Sequence, residues 1–124
     1  MSTNVHLQAH QSPLRFHTYS PGKIHVNDHI YTKTILCKQD SIILAEAPDM
    51  DDVNLDTLKK WQNDFQPELI LIGTGAESRE PSNIIHTFCC EEQIALDAMS
   101  TDYCIRTLIA LQNEFRALIC LLSP

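Results

Sequence analysis

A run of large apolar residues followed by a glycine-rich turn constrains this sequence more than any other feature. Leu69 to Ile72 contains no polar residue, and Gly73-Thr74-Gly75 follows it directly. A strand that is apolar on both faces is typical of a parallel sheet covered by helices on both sides. Glycines at its end allow the chain to turn sharply toward the next element. The sequence therefore predicts an α/β domain built around this strand.

The C-terminal half continues the alternation of strands and helices. Helices are recognised by their caps and by apolar residues on one face, and strands by short apolar runs. Right-handed crossovers would make the three strands parallel neighbours. We expect a parallel β-α-β-α-β half, with a helix over 81–90 that starts at Pro81, a strand over 94–98, a helix from Ser100 or Thr101 to about Asn113, and a last strand over 116–122.

The N-terminal half predicts an antiparallel meander and one helix. Its linkers, such as Asn27-Asp28, are too short for a crossover helix. Residues 1–13 are polar and are expected to form a flexible N-terminal arm, which leaves 14–124 as a single mixed α/β domain. The predicted elements are strands over 23–26, 29–37 and 41–45, an acidic loop over 48–52, and a helix that Asn54 caps and Pro67 closes.

Charge and cysteine usage exclude several classes of function. The chain has a net charge of −7 and only nine basic residues, so it lacks the clustered Lys and Arg that nucleic-acid binding requires. Five cysteines, an odd number, are typical of free thiols in a reducing compartment. No apolar run approaches the length that spans a bilayer. We expect a cytoplasmic protein, or a mitochondrial one if the source is eukaryotic.

The Gly73-Thr74-Gly75 turn is the best candidate for a binding site. Open α/β sheets bind ligands at the carboxyl ends of their strands, where backbone N–H groups can approach an anion. However, the third glycine of a dinucleotide fingerprint is replaced by Ser78, and no Lys-Ser or Lys-Thr pair follows as in a phosphate-binding loop. A turn that requires positive backbone angles is the favoured interpretation.

Thr101 and Arg106 complete this candidate site. Arg106 either forms an i,i+4 ion pair with Asp102 on the helix surface or points toward Gly73–Gly75, where its guanidinium would hold a carboxylate or phosphate. The ion pair is the favoured alternative. Glu114 and Arg116 bracket the following corner, where a structural salt bridge is expected.

Other catalytic and metal chemistry is poorly supported by the sequence. The six histidines are not spaced as ligands of one metal, and the acidic loop fails the calcium-loop pattern because Asn54 and Lys60 occupy its key positions. Cys104 lies near a helix start but shares its apolar face, so a packed thiol is favoured over a reactive one. We therefore predict no catalytic residues, no metal and no cofactor.

The order of several short motifs resembles one known family. These are Leu69-Ile70-Leu71-Ile72-Gly73-Thr74-Gly75, Met99-Ser100-Thr101, Arg106-Thr107, Glu114-x-Arg116 and, near the N-terminus, Tyr19-Ser20-Pro21-Gly22-Lys23-Ile24. The sequence resembles, over about 16–123, the family of unknown function that includes mitochondrial complex I assembly factor 3 and its bacterial and archaeal relatives.

This resemblance implies a three-layer mixed α/β domain without established catalytic residues and with an assembly role in eukaryotes. The chain departs from the family pattern at Gln93, at Tyr103 and Cys104, and at Leu108 and Ile109. These positions surround the predicted turn and helix start, so inherited ligand binding is less secure than the fold.

The sequence therefore favours a non-enzymatic binding or assembly domain with protein partners. A partner is expected to dock on the sheet edge or near Gly73–Gly75, and a homo-oligomer is a further expectation. The alternative is small-anion or nucleotide binding that uses Gly73, Thr74, Gly75, Thr101 and Arg106.

Overall fold

The computed structural model describes residues 13–112, 114 and 117–124. In this part of the chain, strands and helices alternate from the middle of the sequence onward. The elements are β1 (Ile24–Val26), β2 (His29–Tyr31), β3 (Ile35–Cys37), β4 (Ile42–Leu44), a 3₁₀ turn (Met50–Asp52), α1 (Leu55–Phe65), β5 (Leu69–Gly73), α2 (Asn83–Glu92), β6 (Ala95–Met99), α3 (Thr101–Ala110) and β7 (Leu118–Leu122).

A five-stranded mixed sheet forms the centre of the fold. Its strand order is β4-β3-β7-β5-β6. β5 pairs in parallel with β7 on one side and with β6 on the other. β3 pairs antiparallel with both β7 and β4. The predicted parallel half is therefore confirmed, and β6 is the edge strand on its side of the sheet.

The helices and a small hairpin cover the two faces of this sheet. One core cluster joins Trp61 of α1 and Phe88 of α2 to the side chains of Ile70 and Ile72. The other joins Leu108 of α3 and Ile24 of β1 to the opposite face. β1 and β2 pair with each other as a separate two-stranded sheet, and Val26 of β1 also forms a single antiparallel bridge with Phe16. This gives the expected three-layer mixed α/β domain.

The predicted second strand, 29–37, is wrong in its extent. The structure divides it into β2 and β3, which belong to different sheets. Between them the chain bends at Lys33, and buried Thr34 hydrogen-bonds the Asp49 carboxylate. The alternating pattern changes here, because Thr34, Ile35, Leu36 and Cys37 are all buried in succession. The predicted meander is therefore shared between the hairpin layer and the main sheet.

The helix caps were predicted with mixed success. The side chain of Asn54 caps α1 by accepting a hydrogen bond from the Thr57 N–H at 2.9 Å. Ser82 caps α2, so Pro81 precedes the helix and does not form its first turn. The third helix ends at Ala110, earlier than expected.

Two sequence predictions fall wholly or partly on residues that are not described. The flexible N-terminal arm, 1–13, lies outside the described residues except for Pro13. The salt bridge expected between Glu114 and Arg116 lies outside them as well, because Arg116 is not among them.

Candidate functional site

The carboxyl end of β5 lies beside the start of α3, as the crossover predicts. The Thr101 N–H donates a hydrogen bond to the Gly75 carbonyl at 2.8 Å. A β-carbon on Gly73 would lie 2.8 Å from Leu122 Cδ2 and 2.9 Å from Thr101 Oγ1. Gly73 is therefore needed for close packing of the strand against the helix start, and not for its backbone angle.

Hydrogen bonds of Gly75 and Thr101 connect the turn to the neighbouring elements. Gly75 has φ +97°, which favours glycine. Its N–H donates to Thr101 Oγ1 at 2.8 Å, and the same hydroxyl donates to the Ser123 carbonyl at 2.6 Å. Thr101 is fully buried. One side chain thus joins the end of β5, the start of α3 and the chain beyond β7.

Thr74 is also engaged within the protein. Its N–H donates to the Met99 carbonyl at 2.8 Å. Its hydroxyl donates to the Glu77 carbonyl at 2.6 Å and accepts from the Arg79 N–H at 3.1 Å. The N–H groups of Thr74, Gly75 and Arg79, which would otherwise face a ligand, therefore have intramolecular acceptors.

Arg106 lies on the exposed side of α3 and not at the turn. Its Nη2 donates to Asp102 Oδ2 at 2.8 Å, the ion pair that the spacing favoured. The guanidinium carbon also lies 5.2 Å from the centre of the Tyr103 ring. Of the five predicted site residues, the structure brings together Gly73, Thr74, Gly75 and Thr101, and leaves Arg106 apart.

A different feature is the free edge of β6, the side of the strand with which no strand of the described residues pairs. The sequence prediction expected a partner at a sheet edge but did not identify the strand that forms it. The Ala95 N–H donates to the Glu68 carbonyl, and the Met99 carbonyl accepts from the Thr74 N–H. Because the backbone groups of a strand alternate in direction, Ala95, Asp97 and Met99 pair toward β5. Leu96 and Ala98 consequently direct their N–H and C=O groups away from the sheet.

An acidic residue within the strand was the signal that could have identified this edge. Asp97 is exposed in the middle of an otherwise apolar β6. A charged residue in a short strand is a common means of protecting a sheet edge. A central strand such as β5 has no such residue.

A groove of about 420 Å³ runs between β6 and α2. Leu96 and Ala98 form its floor on the sheet side, and His86, Cys89 and Cys90 line it from α2. Burial raises the pKa of the Cys89 thiol to about 11, and the neighbouring Cys90 adds to this shift. The buried Cys89 is therefore protonated and unreactive near neutral pH.

Three of the other cysteines are packed in the core. Cys37, Cys104 and Cys120 are fully buried, and the Sγ atoms of Cys104 and Cys120 lie 3.6 Å apart. Hydrogen bonding of the Cys120 thiol with Cys104 and Cys37, together with burial, raises the pKa of Cys120. All five cysteines are free. Cys104 is thus a packed thiol, as its position on the apolar face indicated.

The described residues contain neither a group of metal ligands nor a membrane-spanning helix. A cavity of about 720 Å³ at the opposite ends of the strands is lined by polar residues such as Gln62 and Glu92, which hydrogen-bond each other. Within 13–112, 114 and 117–124, no three potential ligands are grouped to hold a metal. The two histidines His6 and His10 of the metal alternative lie outside these ranges. None of the described helices is both long and apolar enough to traverse a bilayer.

The protein is a three-layer mixed α/β domain. The turn at the carboxyl end of β5, Gly73–Gly75, is closed, because its polar groups are bonded to α3 and to the chain beyond β7. Residues 16–123 match the family described as a protein of unknown function (DUF498/DUF598), and the chain belongs to that family. No curated protein matches the chain significantly.

Several solved structures share the fold. A protein of Bordetella parapertussis is 21% identical, with a TM-score of 0.74 over 91% of this chain and 97% of that one. A Bartonella henselae protein described as an outer membrane protein is 24% identical, with a TM-score of 0.70 over 91% and 96%. A Bordetella pertussis protein described as a Mth938-like domain is 18% identical, with a TM-score of 0.69 over 93% and 90%. At these identities the likeness shows the fold alone.

Proposed function

We propose that this protein is a non-enzymatic binding domain that recognises a protein partner, with an assembly role of the kind implied by the resemblance to complex I assembly factor 3. The observation that carries the proposal is the free edge of β6. Unpaired backbone groups at a sheet edge are a template for a further strand, and several protein-binding domains recognise partners in this way. The sheet therefore offers a partner a ready surface.

The closed turn favours protein binding over small-anion or nucleotide binding. In this class of fold the carboxyl end of a parallel strand is the usual place for a ligand. Here the N–H of Gly75 is paired with Thr101, and the guanidinium of Arg106 is paired with Asp102. An anion could bind at Gly73–Gly75 only if these contacts were broken, and the free energy lost with them would weaken its binding. Small-anion or nucleotide binding is therefore the second candidate.

The cysteines support a location in a reducing compartment. Five free thiols, four of them buried, are characteristic of proteins that are not exposed to oxidation. We propose the cytoplasm, or the mitochondrion for a eukaryotic source.

Affinity purification from the native organism tests the proposed function. The tagged protein, expressed at its native level, is expected to retain one or more protein partners in a stoichiometric complex. Their amounts are measured by quantitative mass spectrometry against an untagged control. A purification without any enriched partner would contradict the proposal.

A thermal-shift screen distinguishes the second candidate. Nucleotides, inorganic phosphate and small carboxylates are added to the purified protein. A ligand at 100 times its dissociation constant would stabilise the fold by about 2.7 kcal/mol. We expect no shift. A shift that Arg106→Ala abolishes would instead establish anion binding at the predicted residues.

A further inference from the structure

We infer that β6 accepts an extended, basic segment of the partner as an additional strand of the sheet. This inference rests on the proposed function and names the surface and the chemistry of its partner. Leu96 and Ala98 direct their N–H and C=O groups outward, as the pairing of Ala95 and Met99 with β5 requires. These groups can form the ladder that an incoming strand needs.

The side chains around the edge favour a segment of alternating character. Leu96 and Ala98 pack against the core cluster on the α2 side, where the groove of about 420 Å³ lies open. Asp97 projects from the opposite face and is exposed. Because successive side chains of a strand point to opposite faces, an added strand would place every second residue over the groove and the others beside Asp97.

The charges around β6 favour a basic segment. Residues 80–105 contain no Lys or Arg, and the whole chain has a net charge of −7. Glu80 lines the groove beside Ala98. In the adjoining cavity near the start of β6, two carboxylates, Glu68 and Glu92, outnumber one cation, Lys59. Lys or Arg side chains opposite Asp97 would therefore meet its carboxylate directly, and the Glu80 carboxylate adds to the negative potential of this edge from the groove side.

The same carboxylate disfavours a second copy of this chain as the occupant. If two β6 strands paired antiparallel about their centres, the two Asp97 side chains would lie directly opposite each other. Like charges in that arrangement destabilise the pair. Asp97 thus selects a basic strand and opposes self-association through this edge.

A designed peptide provides the direct test. The probe is a capped peptide of alternating Lys and Val, as long as β6, added to the ¹⁵N-labelled full chain. We expect saturable binding at or below about 1 mM, slower amide exchange at Leu96 and Ala98, and weaker binding as salt is raised. A matched peptide of alternating Glu and Val is expected to bind about tenfold more weakly.

Two variants separate backbone pairing from charge. Ala98→Pro removes an outward N–H and leaves the pairing with β5 intact, so it is expected to fold and to lose peptide binding. Asp97→Pro is the matched control for folding, because it removes an inward N–H and is expected to lower the unfolding temperature. Asp97→Lys is expected to reverse the preference between the Lys/Val and Glu/Val peptides.

Four results would overturn the inference, three of them measured with the purified chain. The first is no binding of the Lys/Val peptide up to about 1 mM. The second is binding that Ala98→Pro and Asp97→Lys leave unchanged, and the third is a homodimer in which Leu96 and Ala98 are already protected without peptide. A native partner that still co-purifies with Ala98→Pro and Asp97→Lys would refute this surface and leave the proposed protein-binding function standing. Loss of the proposed function itself would show as no partner for the unaltered chain.

Discussion

The carboxyl end of β5 and the free edge of β6 lie close together but differ in whether their backbone groups are paired. At the end of β5, the N–H groups of Thr74 and Gly75 are paired within the protein. Along β6, Leu96 and Ala98 direct the same groups outward, as the ladder to β5 requires. The region with the glycine motif is thus closed, and the region without a motif is open.

This contrast shows why a glycine-rich turn alone is weak evidence for a ligand site. Gly73 is explained by the close approach of Leu122 and Thr101, and Gly75 by its positive φ. Both requirements arise from packing the strand end against the helix. Once they are met, the turn has no need of a ligand to satisfy its polar groups.

Thr101→Val is expected to have the largest effect on the closed region. The substitution keeps the shape but removes the hydroxyl that pairs with both Gly75 and Ser123. One buried and one partly buried polar group would lose their partner, and we expect the free energy of unfolding to fall by about 3 kcal/mol. Urea unfolding measures this. Thr101→Ser keeps the hydroxyl and should cost only about 1 kcal/mol; equal losses for the two variants would show that the hydroxyl is unimportant.

Gly73→Ala is expected to destabilise the fold by about 2 kcal/mol, because it overpacks a buried contact. The new methyl group would lie 2.8 Å from Leu122 Cδ2 and 3.1 Å from the backbone of Thr101. Leu122→Val in the same chain should relieve part of the strain, because valine lacks the Cδ2 atom that the new methyl group contacts. The comparison is made by urea unfolding. No loss for the single variant would contradict the close packing of the turn.

Gly75→Ala is expected to cost about 1 kcal/mol through its backbone angle alone. The nearest atom to the new β-carbon would be the Pro124 carbonyl oxygen at 3.6 Å, which is an ordinary contact. Gly22→Ala is the matched control, because Gly22 has φ +86° with nothing within 4 Å. The two variants should lower the thermal midpoint similarly. A much larger loss for Gly75 would reveal a crowding that the structure does not contain.

Arg106→Ala is expected to have the smallest effect, a loss of at most about 0.5 kcal/mol. Its ion pair with Asp102 is exposed, with 64% and 42% of the two side chains accessible. Raising the salt concentration should remove most of the difference from the unaltered chain. A loss of several kcal/mol, measured by the same unfolding experiment, would show that Arg106 supports the turn after all.

The sequence predicted the parts of the fold that local patterns determine. The continuous apolar run from Leu69 to Ile72 predicted a central parallel strand, and Asn54 predicted the start of α1. The candidate site that combined Gly73–Gly75 with Thr101 also predicted that the turn would meet the start of α3. These features depend on periodicity, capping and chain handedness, which are visible in a short window.

The features that depend on contacts between distant segments could not be predicted from local patterns. Which strand lies at the edge depends on the order β4-β3-β7-β5-β6, and only Asp97 hinted at it. The break between β2 and β3 depends on Thr34 reaching Asp49, a contact between distant segments. Spacing alone left both directions open for Arg106, since a helix surface residue can face a neighbour or solvent. Ligand binding at the predicted site residues stays a prediction.

Amide hydrogen exchange followed by NMR tests the contrast between the closed turn and the open edge most directly. In the isolated full chain, the amides of Thr74 and Gly75 are expected to exchange slowly, close to the rate set by global unfolding. The amides of Leu96 and Ala98 are expected to exchange rapidly, while that of Asp97, which points toward β5, is protected. Slow exchange at Leu96 and Ala98, or rapid exchange at Gly75, would contradict the account.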